Sequence, residues 1–387
     1  MMFSFLLAMI YLSFISLGLP DALLGAAWPS MYPQFHVPVS YMGIISMSIS
    51  ASTVVSSLMA HRLINRFGTG KVTAFSTGVT GLAMLGFFLS GNFWLLLLIA
   101  IPYGLGAGCV DAALNNYVAI HYESRHMSWL HCMWGVGASV GPYIMGFALT
   151  NGQGWNMGYC YVALLQLMLT VVLFASLPQW KQTAAGEKTT VQKTLSISQI
   201  LKITGVKEIM VAFFCYCALE LTAGQWASSY FVIKDGIPAE KAASLASLFY
   251  IGITSGRAIS GFVTMKLSDT QMIRLGQGII AVGIGLMLLP LGTIATVAGL
   301  LMTGFGCAPI YPCVIHSTPY YFGAANSQLI IGVQMASAYV GNLLMPTLFG
   351  LIADFLGAEV LPLYLGAILL LMVLMHRRMV RICGEKE

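Results

Sequence analysis

Apolar runs long enough to cross a lipid bilayer recur from one end of this chain to the other. That recurrence constrains the fold more than any single motif does. A spanning helix needs about 20 consecutive apolar residues to cross roughly 30 Å of hydrocarbon. Such windows cover approximately 4–30, 38–60, 72–90, 93–120, 128–150, 157–178, 207–232, 241–264, 272–290, 293–316, 327–353 and 359–376. Only 8% of the 387 residues are charged and 58% are hydrophobic, whereas a soluble domain carries about 25% charged residues. The expected class is therefore an all-α membrane protein of twelve transmembrane helices. The opening MMFSFLLAMIYLSF lacks a basic n-region and a small-residue cleavage site, so it reads as a retained helix. The eight cysteines show no paired metal spacing and no disulfide framework. Cys215 and Cys217 read as small apolar filler.

Lysine and arginine give the orientation. Arg62, Arg66 and Lys71 follow span 2, and Arg125 follows span 4. Lys181, Lys188, Lys193, Lys202 and Lys207 fill the middle loop. Lys266 and Arg274 follow span 8, and Arg377, Arg378, Arg381 and Lys386 lie near residue 387. Of the 18 basic residues, only Lys234 and Lys241 fall on the other side, with Arg257 inside span 8. The positive-inside rule then puts both ends and the middle loop in the cytoplasm. The net charge of +5 reports this topology and not nucleic-acid binding. The polar stretch 179–206 divides the chain into bundles at 1–178 and 207–387, and its segment TLSISQILKI reads as a short surface helix.

The two bundles read as copies. At an offset of about 200 residues, Gly104 and Gly106 meet Gly304 and Gly306, and Val140–Gly141 meets Val340–Gly341. Arg66 meets Lys266, and Asp111 meets Tyr311. One residue earlier in register, Asp21 and Gly25 meet Glu220 and Gly224. Two parallel six-span repeats resemble the architecture of the major facilitator transporters. INRFGTGKV, residues 64–72, resembles that family's loop between spans 2 and 3, with Asn65 in place of the usual acid. The resemblance gives Arg66 a gating role. The same stretch lacks the first glycine and the strand of a phosphate loop, so ATP is not the expected energy source.

The polar residues inside the spans are the candidate site. A carboxylate in hydrocarbon is costly, and intramembrane acids mark ion and substrate pathways. Asp21 and Glu220 are such acids at equivalent places in the two repeats. Asp111 and Asn115 are four apart and share a helix face. Asp111 is a candidate proton carrier, and Asn115 a partner for its carboxyl or for a substrate hydroxyl. His131 lies at about the depth of Asn115, either as a proton-coupling group or as a helix–helix partner. Trp134 either stacks on a sugar face or fills space. Glu220, Gln225 and Trp226 bring an acid, an amide and an indole to the middle of span 7. Gln225 and Trp226 are adjacent, so both face one cavity only if the helix breaks near Gly224. Tyr311, Gln334, Tyr339 and Asn342 complete the candidates, with interhelical bonding as the alternative for each. Arg257 is read as a structural cation in an ion pair, or as the partner of an anionic ligand. GASVG around Ser139 matches a nucleophile motif, but it lies in an apolar helix without the required strand and turn.

Taken in order, GLPDALLGAAWP, G-x-x-D-A-A-L-N-N-Y, LHCMWGVGASVGP, ELTAGQW, SGRAISGF and CAPIYPCVIH resemble the fucose–galactose–glucose:proton symporter branch, with the sodium-dependent glucose transporter-like members nearby. The resemblance implies substrate and proton roles for Asp21 and Asp111. It places Trp134 at a sugar-contact position and shares Glu220 with the glucose transporter-like members. The expected function is proton-coupled symport of a neutral sugar or similar polar solute across the inner membrane, by a monomer without a cofactor. Protons, with sodium as the alternative ion, and lipid are the other implied partners. A proton-driven exporter of amphipathic compounds is the rival, and a non-transporting membrane sensor a third possibility.

Overall fold

The computed structural model describes residues 5–122, 124–180, 197–264 and 266–384. These residues form α-helices joined by short turns. Span 1 is two helices, α1 (Phe5–Asp21) and α2 (Leu23–Phe35). The rest of the first set is α3 (Tyr41–Phe67), α4 (Thr69–Leu89), α5 (Phe93–His121), α6 (Ser124–Thr150) and α7 (Gly154–Ser176). After a one-turn α8 (Ile197–Ile200), the second set is α9 (Val206–Asp235), α10 (Ala239–Val263), α11 (Asp269–Leu288), α12 (Thr293–Cys307), α13 (Ile310–Phe322), α14 (Ala324–Leu356) and α15 (Leu361–Cys383).

Ten helical segments are long and apolar enough to cross a membrane among the described residues. The remaining two of the expected twelve, α9 and α10, are 30 and 25 residues long. At 1.5 Å per residue they too exceed the thickness of the hydrocarbon core. They carry Glu220 and Arg257. The outer surface is apolar: Phe355, Ile294, Leu58 and Phe262 are exposed, while Gln166, Gln277 and Gln334 are buried. An apolar outer surface suits a lipid solvent.

Two expectations about continuity change. Span 1 was expected as one helix, but the chain turns at Ala22, directly after Pro20 and Asp21. Proline removes a backbone donor from that last turn. Span 10 likewise breaks at Ala308–Pro309. In contrast α9 runs unbroken through Gly224. There a Cβ would overlap the Tyr250 hydroxyl, so this glycine serves close packing. Of the expected surface helix in 194–203, residues 194–196 lie outside the described residues, as do Lys181, Lys188 and Lys193. The described part forms only the four-residue α8.

Small residues let backbones touch. A Cβ on Gly104 would overlap the Ile49 carbonyl, and one on Gly304 would overlap the Phe249 carbonyl. A Cβ on Gly106 would lie 2.8 Å from the Ser76 carbonyl oxygen, and one on Gly306 2.7 Å from that of Gly276. Both members of each contact are shifted by the same 200 residues. The α5 contacts with α3 and α4 therefore recur as α12 contacts with α10 and α11.

The two sets touch at the end remote from Phe5 and Cys383. Ser40 N–H donates to Asp354 Oδ1 at 3.1 Å, and Thr347 Oγ1 donates to the Gly43 carbonyl at 3.1 Å. Gly25 of α2 packs on the Gln225 backbone of α9, and Gly146 of α6 on Ser244 of α10.

Candidate functional site

The break after Asp21 leaves its carboxylate at the end of α1, within reach of two other helices. Tyr103 Oη of α5 donates to Oδ1 at 2.8 Å, and Trp134 Nε1 of α6 donates to Oδ2 at 2.8 Å. Both oxygens are therefore engaged. Hydrogen bonds to a charged acceptor contribute about 1.5–3 kcal/mol each, which offsets the desolvation of the acid.

The same indole faces the second set of helices. The Arg257 guanidinium carbon of α10 lies 5.4 Å from the Trp134 ring centre, and Tyr250 meets that ring edge-on at 6.4 Å. Arg257 Nη2 pairs with Glu220 Oε1 of α9 at 3.7 Å, and Nη1 reaches the His131 carbonyl at 3.5 Å. Tyr216, one turn before Glu220, donates its hydroxyl to Oε2. A continuous polar chain thus runs Tyr103–Asp21–Trp134–Arg257–Glu220–Tyr216 across both sets. Arg257 and Glu220 keep 15% and 17% of their side-chain surface accessible, so the pair is largely buried.

Around this chain stand aromatic groups. The His131 ring lies edge-on to Phe14 at 5.8 Å and 6.4 Å from the Tyr311 ring. Tyr311 packs on Phe213 at 5.1 Å, and its hydroxyl reaches Met335 Sδ at 3.4 Å. Asp111 accepts from Asn115 Nδ2 at 3.0 Å, the contact expected from their spacing. The same amide also bonds the Asp111 carbonyl at 3.0 Å. Asp111 lies within electrostatic range of Asp21, Tyr311 and Tyr339, so it faces the same interior.

Other candidates lie elsewhere. Gln225 exchanges hydrogen bonds with Ser46 of α3, at 3.1 and 2.7 Å, where the two sets touch. Trp226 is fully buried against α14; its Nε1 donates to the Pro346 carbonyl at 3.1 Å and its ring meets Phe349 at 5.0 Å. With α9 unbroken, the two adjacent side chains take different directions, as a regular helix requires. Gln334 accepts from Thr318 at 3.2 Å, and its buried Nε2 has no partner among the described residues. The Asn342 Oδ1 atom is likewise unpartnered there. Arg66 is exposed over the Phe67 ring at 5.3 Å, and the Asn65 side chain lies outside the described residues. Ser139 donates to the Gly135 carbonyl at 2.8 Å inside α6, so GASVG forms no nucleophile turn. No group of three or more His, Cys, Asp or Glu side chains is placed to hold a metal among the described residues.

Tyr103, Tyr216 and Tyr250 were not among the expected site residues. Tyr216 was findable, because it is four residues before Glu220 and shares its face. Tyr103 and Tyr250 carry no comparable signal, since each depends on how one helix is rotated against another.

Residues 10–318 match the Major Facilitator Superfamily model. Relatives are diverse and distant. The chain is 22% identical to Bypass of stop codon protein 6 of Saccharomyces cerevisiae, over 90% of this chain and 77% of that protein. It is 20% identical to the glucose/mannose transporter GlcP of Bacillus subtilis, over 79% of this chain and 77% of that one. It is 22% identical to Multidrug resistance protein 2 of Bacillus subtilis, over 91% and 88%. Among solved structures, a point mutant of the nucleoside transporter NupG superposes with a TM-score of 0.79 at 11% identity, over 97% of this chain and 98% of that one.

Proposed function

This chain belongs to the Major Facilitator Superfamily, and we propose that it is a proton-coupled symporter of a neutral sugar or similar small polar solute, working by alternating access. Membership makes it a multi-pass membrane transporter and not an enzyme; the solute, the ion and the direction are the proposal. The observation that carries it is the polar chain joining Asp21 to Glu220 through Trp134 and Arg257. Arg257 is paired with Glu220, so it is not a free cation to hold an anion. The site offers instead carboxylate acceptors, a guanidinium fork and aromatic faces, which suit a ligand rich in hydroxyls. The similarity to GlcP, a glucose/mannose transporter, supports the sugar reading, as does the resemblance to the fucose–galactose–glucose:proton symporter branch.

Asp21 and Asp111 are the proposed proton carriers. Protonation removes a buried charge, and a neutral, loaded interior closes at less cost than an ionised, empty one. Glu220, Trp134, Asn115 and Tyr311 are the proposed ligand contacts, with His131 beside them. Residues 1–178 and 207–387 are the proposed rocking bodies, joined by 179–206. With both ends cytoplasmic and the membrane the inner one, the contacts of Ser40 with Asp354 and of Thr347 with Gly43 fall on the external side.

A proton-driven exporter of amphipathic compounds is the second reading. The aromatic lining of Trp134, Tyr250, Phe213 and Tyr311 and the similarity to Multidrug resistance protein 2 favour it. Uptake of radiolabelled monosaccharides into proteoliposomes under an imposed pH gradient separates the two. Accumulation of a sugar with the gradient upholds symport. No sugar movement by folded protein, with proton-driven dye export, replaces it with the exporter.

A further inference from the structure

A tyrosine hydroxyl carried into a protein interior ordinarily finds a hydrogen-bond partner, because a buried donor left without one is costly. Tyr250 of α10 is 5% exposed, and its hydroxyl has no hydrogen-bond partner among the described residues. Acceptors are near, since Asp21 of α1 and Glu220 of α9 are both within electrostatic range. Those acids are already taken. Asp21 accepts from Tyr103 and Trp134, while Glu220 accepts from Tyr216 and pairs with Arg257. Beside this bonded chain, the Tyr250 hydroxyl is a donor left over.

Packing fixes where that donor stands. The ring meets Trp134 edge-on at 6.4 Å and Phe249 edge-on at 5.3 Å. At its far end the hydroxyl presses on Gly224, where a Cβ would overlap it. Gly224 is one turn after Glu220 and shares its face of α9. Tyr250 is near the middle of α10 (Ala239–Val263), as Glu220 is in α9 (Val206–Asp235) and Asp21 in the first span (Phe5–Phe35). Transporter ligands bind near the bilayer midplane, between the repeats. A spare donor held rigidly at that level is preorganised to meet a ligand.

We propose that the Tyr250 hydroxyl reads one hydroxyl of the transported solute. That ligand hydroxyl accepts from Tyr250 and donates to the carboxylate of Glu220, whose two oxygens together offer about four acceptor sites. Gly224 is the positioning residue that lets the tyrosine reach this place. The inference rests on the sugar-symport reading and adds to it the residue that tells a hydroxylated solute from an analogue lacking that one group.

The test measures counterflow affinity in proteoliposomes for a transported monosaccharide and for its monodeoxy analogues, each lacking one hydroxyl, with the wild type and Y250F. Phenylalanine keeps the ring against Trp134 and removes only the hydroxyl. Y250F is expected to bind the parent sugar about tenfold more weakly, the effect of one neutral hydrogen bond. One deoxy analogue is expected to bind the wild type and Y250F equally, because the hydroxyl that Tyr250 reads is already gone. The other analogues are expected to lose as much as the parent. Equal weakening of the parent and every analogue overturns the inference, since that is what a packing role gives, and so does an unchanged affinity for the parent. A wild type that moves no monosaccharide overturns the symport reading and the inference with it, so the two failures are told apart. If Y250F does not fold, Gly224→Ala, which crowds the hydroxyl, takes its place with the same expected pattern.

Discussion

The guanidinium of Arg257 lies over the Trp134 ring at 5.4 Å, while the N–H of that ring is donated to Asp21 at 2.8 Å. One indole therefore touches the cation of one set of helices and the acid of the other. The two contacts use different parts of Trp134, so substitution separates them. Trp134→Phe keeps a ring under Arg257 and removes the donor, at an expected cost of about 1.5–3 kcal/mol. Trp134→Ala also removes the cation–π contact and adds roughly 0.5–2 kcal/mol. Thermal unfolding of the three proteins checks this order, and a phenylalanine variant as stable as the wild type contradicts it.

Glu220 and Arg257 invite a double-mutant cycle. Removing one member of a largely buried pair leaves the other uncompensated. Glu220→Gln and Arg257→Gln are each expected to destabilise by up to about 3 kcal/mol, less than for a fully sealed pair. The double variant is expected to lose less than the sum of the two. Additive losses in unfolding midpoint would mean that the 3.7 Å contact carries no coupling.

Asp21→Asn and Asp111→Asn test the proton role. Asparagine keeps the shape of each acid and cannot ionise. The variant at the coupling site is expected to retain solute exchange between the two faces and to lose accumulation driven by a pH gradient. Counterflow and gradient-driven uptake, measured on the same vesicles, read the two activities apart. Loss of both in both variants assigns these acids to binding or folding.

Trp134 and Trp226 call for different outcomes. Trp226→Phe removes the bond to the Pro346 carbonyl and is expected to lower stability by about 1 kcal/mol, with solute affinity unchanged. Trp134→Phe is expected to weaken solute binding as well. Equal effects of both on affinity would place Trp226 in the ligand pathway.

Glycines divide in the same way. A Cβ on Gly137 would overlap the Ile15 carbonyl within the first set, whereas one on Gly25 would overlap the Gln225 carbonyl across the sets. Gly137→Val is expected to reduce folded yield. Gly25→Val is expected to fold and to favour the state open at the end remote from Phe5 and Cys383. Thiol labelling of a cysteine introduced at Ser46 reports that opening, and unchanged labelling refutes it.

Much of this architecture is written plainly in the chain, because lipid admits few solutions. The helix count and the repeat follow from apolar windows and from pairs such as Gly104 and Gly304. The Asp111–Asn115 contact follows from their spacing. The breaks had visible signals in Pro20 and Pro309, but proline is tolerated inside many membrane helices, so its presence does not specify a break. The meeting of Trp134 with Arg257 depends on the rotation of α6 against α10. Both helices are apolar on several sides, and no periodicity fixes that angle. The same indeterminacy made Trp226 as plausible a ligand contact as Trp134.

Some contacts between the two sets at the end remote from Phe5 and Cys383 are made by main chain. Gly25 meets the Gln225 backbone, and Gly43 meets the Thr347 Cα. A barrier built this way is indifferent to cargo. Side chains elsewhere in the molecule can differ without altering these contacts. Distant relatives with different cargoes are what such a division of labour permits.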